Sequence, residues 1–211
     1  MTNPAVVGPD RAGLARAVQA LKRGQLVVTP TDTVYGVAAK PDLAPAVAAL
    51  FAAKGRDRRQ PVPVLVANLA QAEKLAELSD QARGLIAAHW PGALTLVLPA
   101  KDAVTWDLGQ RGGTIALRQP RDETCLELLD LAGPLAVSSA NRSGDVPALD
   151  ASESLAKLGQ QVAVYVDAGP ARGGQASSVL DLTGLAPGLL RPGPIGADQL
   201  LPRAKRGSGT R

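Results

Sequence analysis

Apolar positions along this chain switch repeatedly between helical and strand spacing. After Asp10, a residue able to cap a helix, they recur at Leu14, Ala17, Val18 and Leu21, and Gly24 can end that element before "QLVVT" reads as a strand. A Pro-Thr-Asp-Thr turn then leads into a short strand, "VYGVAA", and an alanine-rich helix, "APAVAALFAAKG". The continuous apolar run "VPVLVA" reads as a fully buried strand, "NLAQAEKLAEL" and "SDQARGLIAAHW" as capped helices, and "ALTLVLPA" as a further strand. "TIALR" and "PLAVSSAN" are strands on either side of the helix "DETCLELLDLAG", and "SESLAKLG", "VAVYVDAG" and "SSVLDLT" continue the alternation. The class is α/β. Strands this rich in valine are usually covered on both faces, so the expectation is a twisted, largely buried sheet with working residues on loops at strand ends.

Composition narrows the function more than the fold. At 211 residues and 45% hydrophobic content, the chain suits one domain that buries roughly 70% of its unfolded surface. Residues 1–202 are assigned to that domain, and 203–211, from the basic stretch "PRAKRGSGTR", to a disordered tail. A net charge of +4 favours anionic partners without choosing among them. The five aromatic residues are too scattered for the stacking platform of a sequence-tolerant single-strand binder. No secretory leader pattern or membrane-length apolar run is visible, and Cys125 cannot form an internal disulfide, so a soluble, cytoplasmic protein is expected.

The inventory of reactive residues is short. His89 is the only histidine and Cys125 the only cysteine, which argues against a Ser/His/Asp or Cys/His system and against a zinc site of usual ligand type. Both residues read as packing or surface positions. Chemistry here would have to rest on positioning and charge, and four polar segments offer it: "TPTDTVYG", "KGRDRRQP", "SSANRSG" and "LLRPGPIG". The second sets Lys54, Arg56, Arg58 and Arg59 against Asp57 alone. Like charges about 4 Å apart repel by about 1 kcal/mol in water and about 4 kcal/mol at an effective dielectric near 20, so the cluster must be solvated or matched by an anion. Lys54 and Arg56, on either side of Gly55, which permits close backbone approach, are the ligand-binding candidates.

These segments occur in an order that resembles the threonylcarbamoyl-AMP synthase (YrdC) family: "PTDTVYG", the Lys-x-Arg of "KGR", "WPGALTLVL", "RGGTIALRQP", "GPLAVSSANRSG", "SSVLDLT" and "LLRPGPI", over residues 11 to 197. The resemblance implies a twisted mixed sheet flanked by helices around a basic concave cleft. It also implies a reaction of L-threonine, bicarbonate or carbon dioxide, and ATP to give threonylcarbamoyl-AMP and pyrophosphate, the first step toward threonylcarbamoyladenosine in tRNA. Magnesium would accompany ATP, the protein itself holding no metal, and a separate threonylcarbamoyl transferase machinery would take the product. On the same ground Lys54, Arg56, Ser139 and Asn141 form the catalytic constellation, joined by Arg118 and Arg191 at the nucleotide. Thr31, Thr33, Tyr35 and Ser178 form the threonine end.

Asp57 stands where many members carry proline, Leu65 near where some carry a histidine, and His89 where an aromatic residue commonly precedes "WPG". The chain resembles the short form without an additional carboxy-terminal domain. Three other readings share its features: a YciO-like paralogue without efficient synthase activity, a module binding double-stranded RNA or tRNA through its basic segments, and a butanone-phosphate synthase, whose acidic metal pocket is not found in the sequence.

Overall fold

The computed structural model describes residues 3–201. Its strands are β1 (Ala5–Val7), β2 (Val27–Thr29), β3 (Gly36–Ala39), β4 (Val64–Leu65), β5 (Leu94–Pro99), β6 (Thr114–Arg118), β7 (Leu135–Ser139), β8 (Val164–Val166), β9 (Ser178–Asp181) and β10 (Gly188–Arg191). They form one mixed sheet in the order β1-β8-β2-β3-β7-β4-β6-β5-β9-β10. Pairs β1·β8, β2·β8, β4·β6 and β5·β9 are parallel, and the others antiparallel. The helices are α1 (Arg11–Lys22), α2 (Ala44–Lys54), α3 (Leu69–Leu75), α4 (Asp80–His89), α5 (Glu123–Ala132), α6 (Ala151–Leu158) and α7 (Ala197–Leu200). Asp10, Asn68, Ser79, Asp122 and Asp150 each accept a backbone N–H from the first turn of the helix they precede.

Strand alternation sends neighbouring residues to opposite faces. Val28, Val37, Val64, Ala136 and Tyr165 enter the larger core with α2, α3, α4 and α6, while Val27, Ala38, Leu65, Val137 and Val164 join α1 and α5 on the other side. The second core stops halfway across the sheet, because none of its buried residues comes from β5, β6, β9 or β10. On that half the residues of the same parity are Thr95, Val97, Thr114, Ala116, Arg118, Val179 and Asp181, and they line cavities.

Several expectations change as a result. The sheet is covered on both faces only in part, since the strands nearest β10 place polar or small residues where a covering helix would need large apolar ones. "VPVLVA" contributes just Val64–Leu65 to the ladder, with Pro63 interrupting the run. "LLRPGPIG" begins with the edge strand β10, and β1 was unread because three residues carry too little periodicity. The disordered tail expected at 203–211 lies outside the described residues. No helix among those described is long and apolar enough to cross a membrane.

Candidate active site

On the bare half of the face lies a cavity of about 110 Å3. Thr31, Thr33 and Val34 come from the turn after β2, Leu65, Val137, Ser138 and Ser139 from β4 and β7, Thr95 and Arg118 from β5 and β6, and Ser177 and Arg191 from the β9–β10 side. A neighbouring cavity of about 590 Å3 shares Arg56, Pro63, Thr95 and Arg191 with it. The two spaces therefore meet at a pair of arginines.

Arg118, 6% exposed, fixes the threonine turn. Its Nη2 donates to Asp32 Oδ1 at 2.6 Å, its Nη1 to Thr33 Oγ1 at 2.9 Å, and its Nε to the Gly92 carbonyl at 2.9 Å. Burial lowers the Arg118 pKa, opposed by the Asp32 carboxylate. Thr31 is fully occupied: its hydroxyl donates to Val34 O at 2.6 Å and accepts from the backbone N–H groups of Thr33 and Val34. Thr33 Oγ1, 2.9 Å from Thr31 Oγ1, is the hydroxyl with capacity left for a ligand. Behind the turn, a Cβ on Gly173 would stand 2.5 Å from Asp32 O, so only glycine lets the loop between β8 and β9 close on it.

The four cations of "KGRDRRQP" meet four different fates. Gly55 closes α2 in the left-handed region at φ +57°, with nothing within 4 Å of a Cβ placed there. Its role is to turn the chain; close backbone approach is not what requires it. That turn buries Lys54, whose Nζ donates to Ser139 O at 2.6 Å and Asn141 O at 2.7 Å. Burial, and Arg56 beside it, lower the Lys54 pKa to about 8. Arg58 pairs with Asp107 and stacks on Phe51, while Arg59 pairs with Asp57 at the surface. Arg56 alone reaches both cavities, held by the carbonyls of Gln60 and Pro61 at 2.8 and 3.0 Å.

Arg191 is anchored by Ser177, donating from Nε and Nη2 to its carbonyl at 3.0 and 2.8 Å. Ser177 Oγ in turn lies 2.8 Å from Thr95 Oγ1. Among the described residues neither Arg56 nor Arg191 has a carboxylate partner. Burial lowers the pKa of both, Arg56 further by Arg191 and Arg191 further by Arg118. An anion between the cavities would relieve that repulsion and satisfy the remaining N–H groups.

Of the sequence candidates, Thr31, Thr33, Arg56, Arg118, Ser139 and Arg191 line the small cavity. Tyr35 also lines it, but its hydroxyl donates to Gly169 O at 2.7 Å and accepts from Ala168 N, so the phenol ties down the β8–β9 loop. Lys54 and Asn141 do not line it: Asn141 Nδ2 holds the Arg142 and Asp145 carbonyls, and both residues shape the turn that carries Ser139. Ser178 faces the core side, donating to Ile195 O at 2.8 Å, and Ser177 takes the cavity position instead. Counting back by twos from apolar Leu180 would have assigned the two serines correctly. Ser138, which accepts from Arg56 Nη1 at 3.4 Å, opens the segment "SSANRSG" but was passed over for Ser139, whereas Thr95 was missed because it sits inside an apolar strand pattern.

This geometry can be set beside known proteins. The Sua5/YciO/YrdC family profile, described under telomere recombination, matches residues 19–193. A Mycobacterium tuberculosis relative, provisionally named a threonylcarbamoyl-AMP synthase, is 50% identical over 89% of this chain and 87% of its own length. The Bacillus subtilis threonylcarbamoyl-AMP synthase is 37% identical over 89% of this chain, which spans 55% of that protein. The crystal structure of P. abyssi Sua5 complexed with L-threonine superposes with a TM-score of 0.86 at 35% identity, covering 90% of this chain and 57% of that one. With its order of motifs, its mixed sheet and most of its length matched in this way, the chain belongs to the Sua5/YciO/YrdC family.

Proposed function

We propose that the protein is an L-threonylcarbamoyladenylate synthase. The observation that carries the reading is the meeting of a small cavity and a larger, mainly apolar one at Arg56 and Arg191, two cations that line both spaces and have no carboxylate partner among the described residues. L-Threonine fits the first, with Thr33 Oγ1 and Ser139 as polar contacts and Leu65 and Val137 as the apolar wall; the adenosine part of ATP fits the second. Similarity to named synthases and to a threonine-bound Sua5 supports the same assignment.

In this reading the substrate supplies the nucleophile. The threonine amine adds to carbon dioxide with loss of a proton, or to bicarbonate with loss of water, and gives a carbamate. A carbamate oxygen then attacks the α-phosphorus of ATP, forming the phosphorus–oxygen bond of threonylcarbamoyl-AMP as pyrophosphate leaves. Carbamate and triphosphate are both anionic and repel, so the protein's task is to hold them in line between Arg56 and Arg191 and stabilise charge gathering at the α-phosphate. Lys54 and Asn141 contribute by fixing Ser139. Magnesium belongs to the MgATP substrate, since the two cavities together are lined by a single carboxylate, Asp181, instead of a carboxylate set. The product is labile, so a threonylcarbamoyl transferase acting on tRNA is the expected partner.

Purified protein with MgATP, bicarbonate and L-threonine, each omitted in turn, tests the assignment by pyrophosphate release and mass spectrometry of the adduct. Product that requires all three establishes the synthase. ATP binding without product would move the chain to a YciO-like role, and salt-sensitive RNA binding without ATP binding to a nucleic-acid module.

A further inference from the structure

The larger cavity contains one acid. Asp181 ends β9 on the same face as Val179, opposite Gly188 of β10 and Val97 of β5. Its Oδ1 accepts from the backbone N–H and the hydroxyl of Thr183 at 2.8 and 2.7 Å, which fixes the carboxylate. Its Oδ2 has no hydrogen-bond or ion-pair partner among the described residues, although the cavity it faces also contains Arg56, Arg111 and Arg191. Arg111 is spent on the carbonyls of Val104, Trp106 and Thr114. Leu190, 63% exposed, and Val97, Val179 and Ala116 give the space around Asp181 an apolar lining.

A carboxylate there opposes a triphosphate and favours a group that donates hydrogen bonds. Arg191 pairs with Val179 across a register shift and turns its guanidinium to Ser177, away from Asp181, so the cation and the acid lie toward opposite ends of β9 in the cavity. A nucleotide laid along β9 would set its phosphates at the arginine end and its ribose at the acid end. We infer that Asp181 binds the ribose 2′- and 3′-hydroxyls of the nucleotide, setting its direction in the cleft and selecting ribonucleotides over deoxyribonucleotides. The assignment rests on the nucleotide half of the synthase reading. It adds a charge gradient that draws phosphates toward Arg56 and Arg191 and ribose toward Asp181.

Calorimetric titration of the full chain with ATP, 2′-deoxy-ATP and 3′-deoxy-ATP tests it in wild type, Asp181→Asn and Asp181→Ala, with magnesium and with EDTA. Wild type is expected to prefer ATP over at least one deoxy analogue by about tenfold or more, the size of a charge-assisted hydrogen bond. Asp181→Ala should bring the ratio close to one by weakening ATP alone, and Asp181→Asn, whose amide oxygen still accepts, should fall between. An unchanged ratio in Asp181→Ala, or equal losses for ATP and its analogues, overturns the inference, because a purely structural role would not discriminate between them. A loss seen only with magnesium also overturns it, by making Asp181 a metal ligand. If wild type discriminates but makes no threonylcarbamoyl-AMP, the synthase reading fails and this one stands; if wild type does not bind ATP, both fail.

Discussion

One face of the sheet is two surfaces. Under α1 and α5 it presents Val27, Ala38, Val137 and Val164, packed against Leu14, Leu21, Leu128 and Leu129. Beyond β4 the same face presents Thr95, Arg118 and Asp181 and carries no helix core. The backbone ladder is continuous across both. What differs is the side chain at every second position, so the sheet is a common frame on which burial is assigned to one half and ligand contact to the other.

The sharpest way to break this division is to remove Arg118, which sits on β6 and holds the turn after β2. Arg118→Met strands Asp32 without its partner and releases Thr33, so stability should fall by about 3–5 kcal/mol in denaturant melts, with turnover lost even in the folded fraction. Next, paired variants should separate the halves. Leu128→Ala should cost about 3 kcal/mol of stability with kcat/KM of the folded enzyme intact, whereas Arg56→Ala should leave the unfolding midpoint near wild type and lower kcat about 100-fold or more. Steady-state kinetics beside urea unfolding reads both.

A smaller effect sharpens the boundary at Lys54. Its folded pKa, about 8, lies below the ordinary lysine value of 10.5, so between those values the unfolded chain binds more protons and stability rises with pH. Wild type should therefore gain on the order of 2 kcal/mol relative to Lys54→Met between pH 7.5 and pH 10. Parallel profiles for the two proteins would remove Lys54 from the buried framework. The least change separates two adjacent serines: Ser178→Ala should cost about 1 kcal/mol of stability with KM for threonine unchanged, and Ser177→Ala should raise that KM several-fold by removing the hydroxyl that accepts from Arg191 Nη2 at 3.1 Å.

The covered half was legible in the sequence because large apolar residues at regular spacing leave a strong signal; α1, α5 and β7 emerged close to their observed limits. The site was legible as a set of segments but less so residue by residue. "KGRDRRQP" announced positive charge, yet only the left-handed turn at Gly55 separates buried Lys54 from Arg56 in the cavity. Tyr35 and Ser178 looked available because hydroxyls invite that reading; their partners, Gly169 and Ile195, are distant in sequence and unpredictable from local pattern. Ser177 and Asp181 were hidden because a strand flanked by glycine-rich loops gives little warning that one face is open.

The two arginines between the cavities reach them by unequal routes. Arg56 follows α2, whose inner face packs into the larger core, whereas Arg191 rides on β10, an edge strand hydrogen-bonded within the sheet to β9 alone. On a ribosome, the larger core can assemble around most of its strands while the anion-binding pair still lacks its second member. Catalytic competence is therefore a late event in the life of each chain, acquired when nearly all of the described fold has emerged and β10 is laid down.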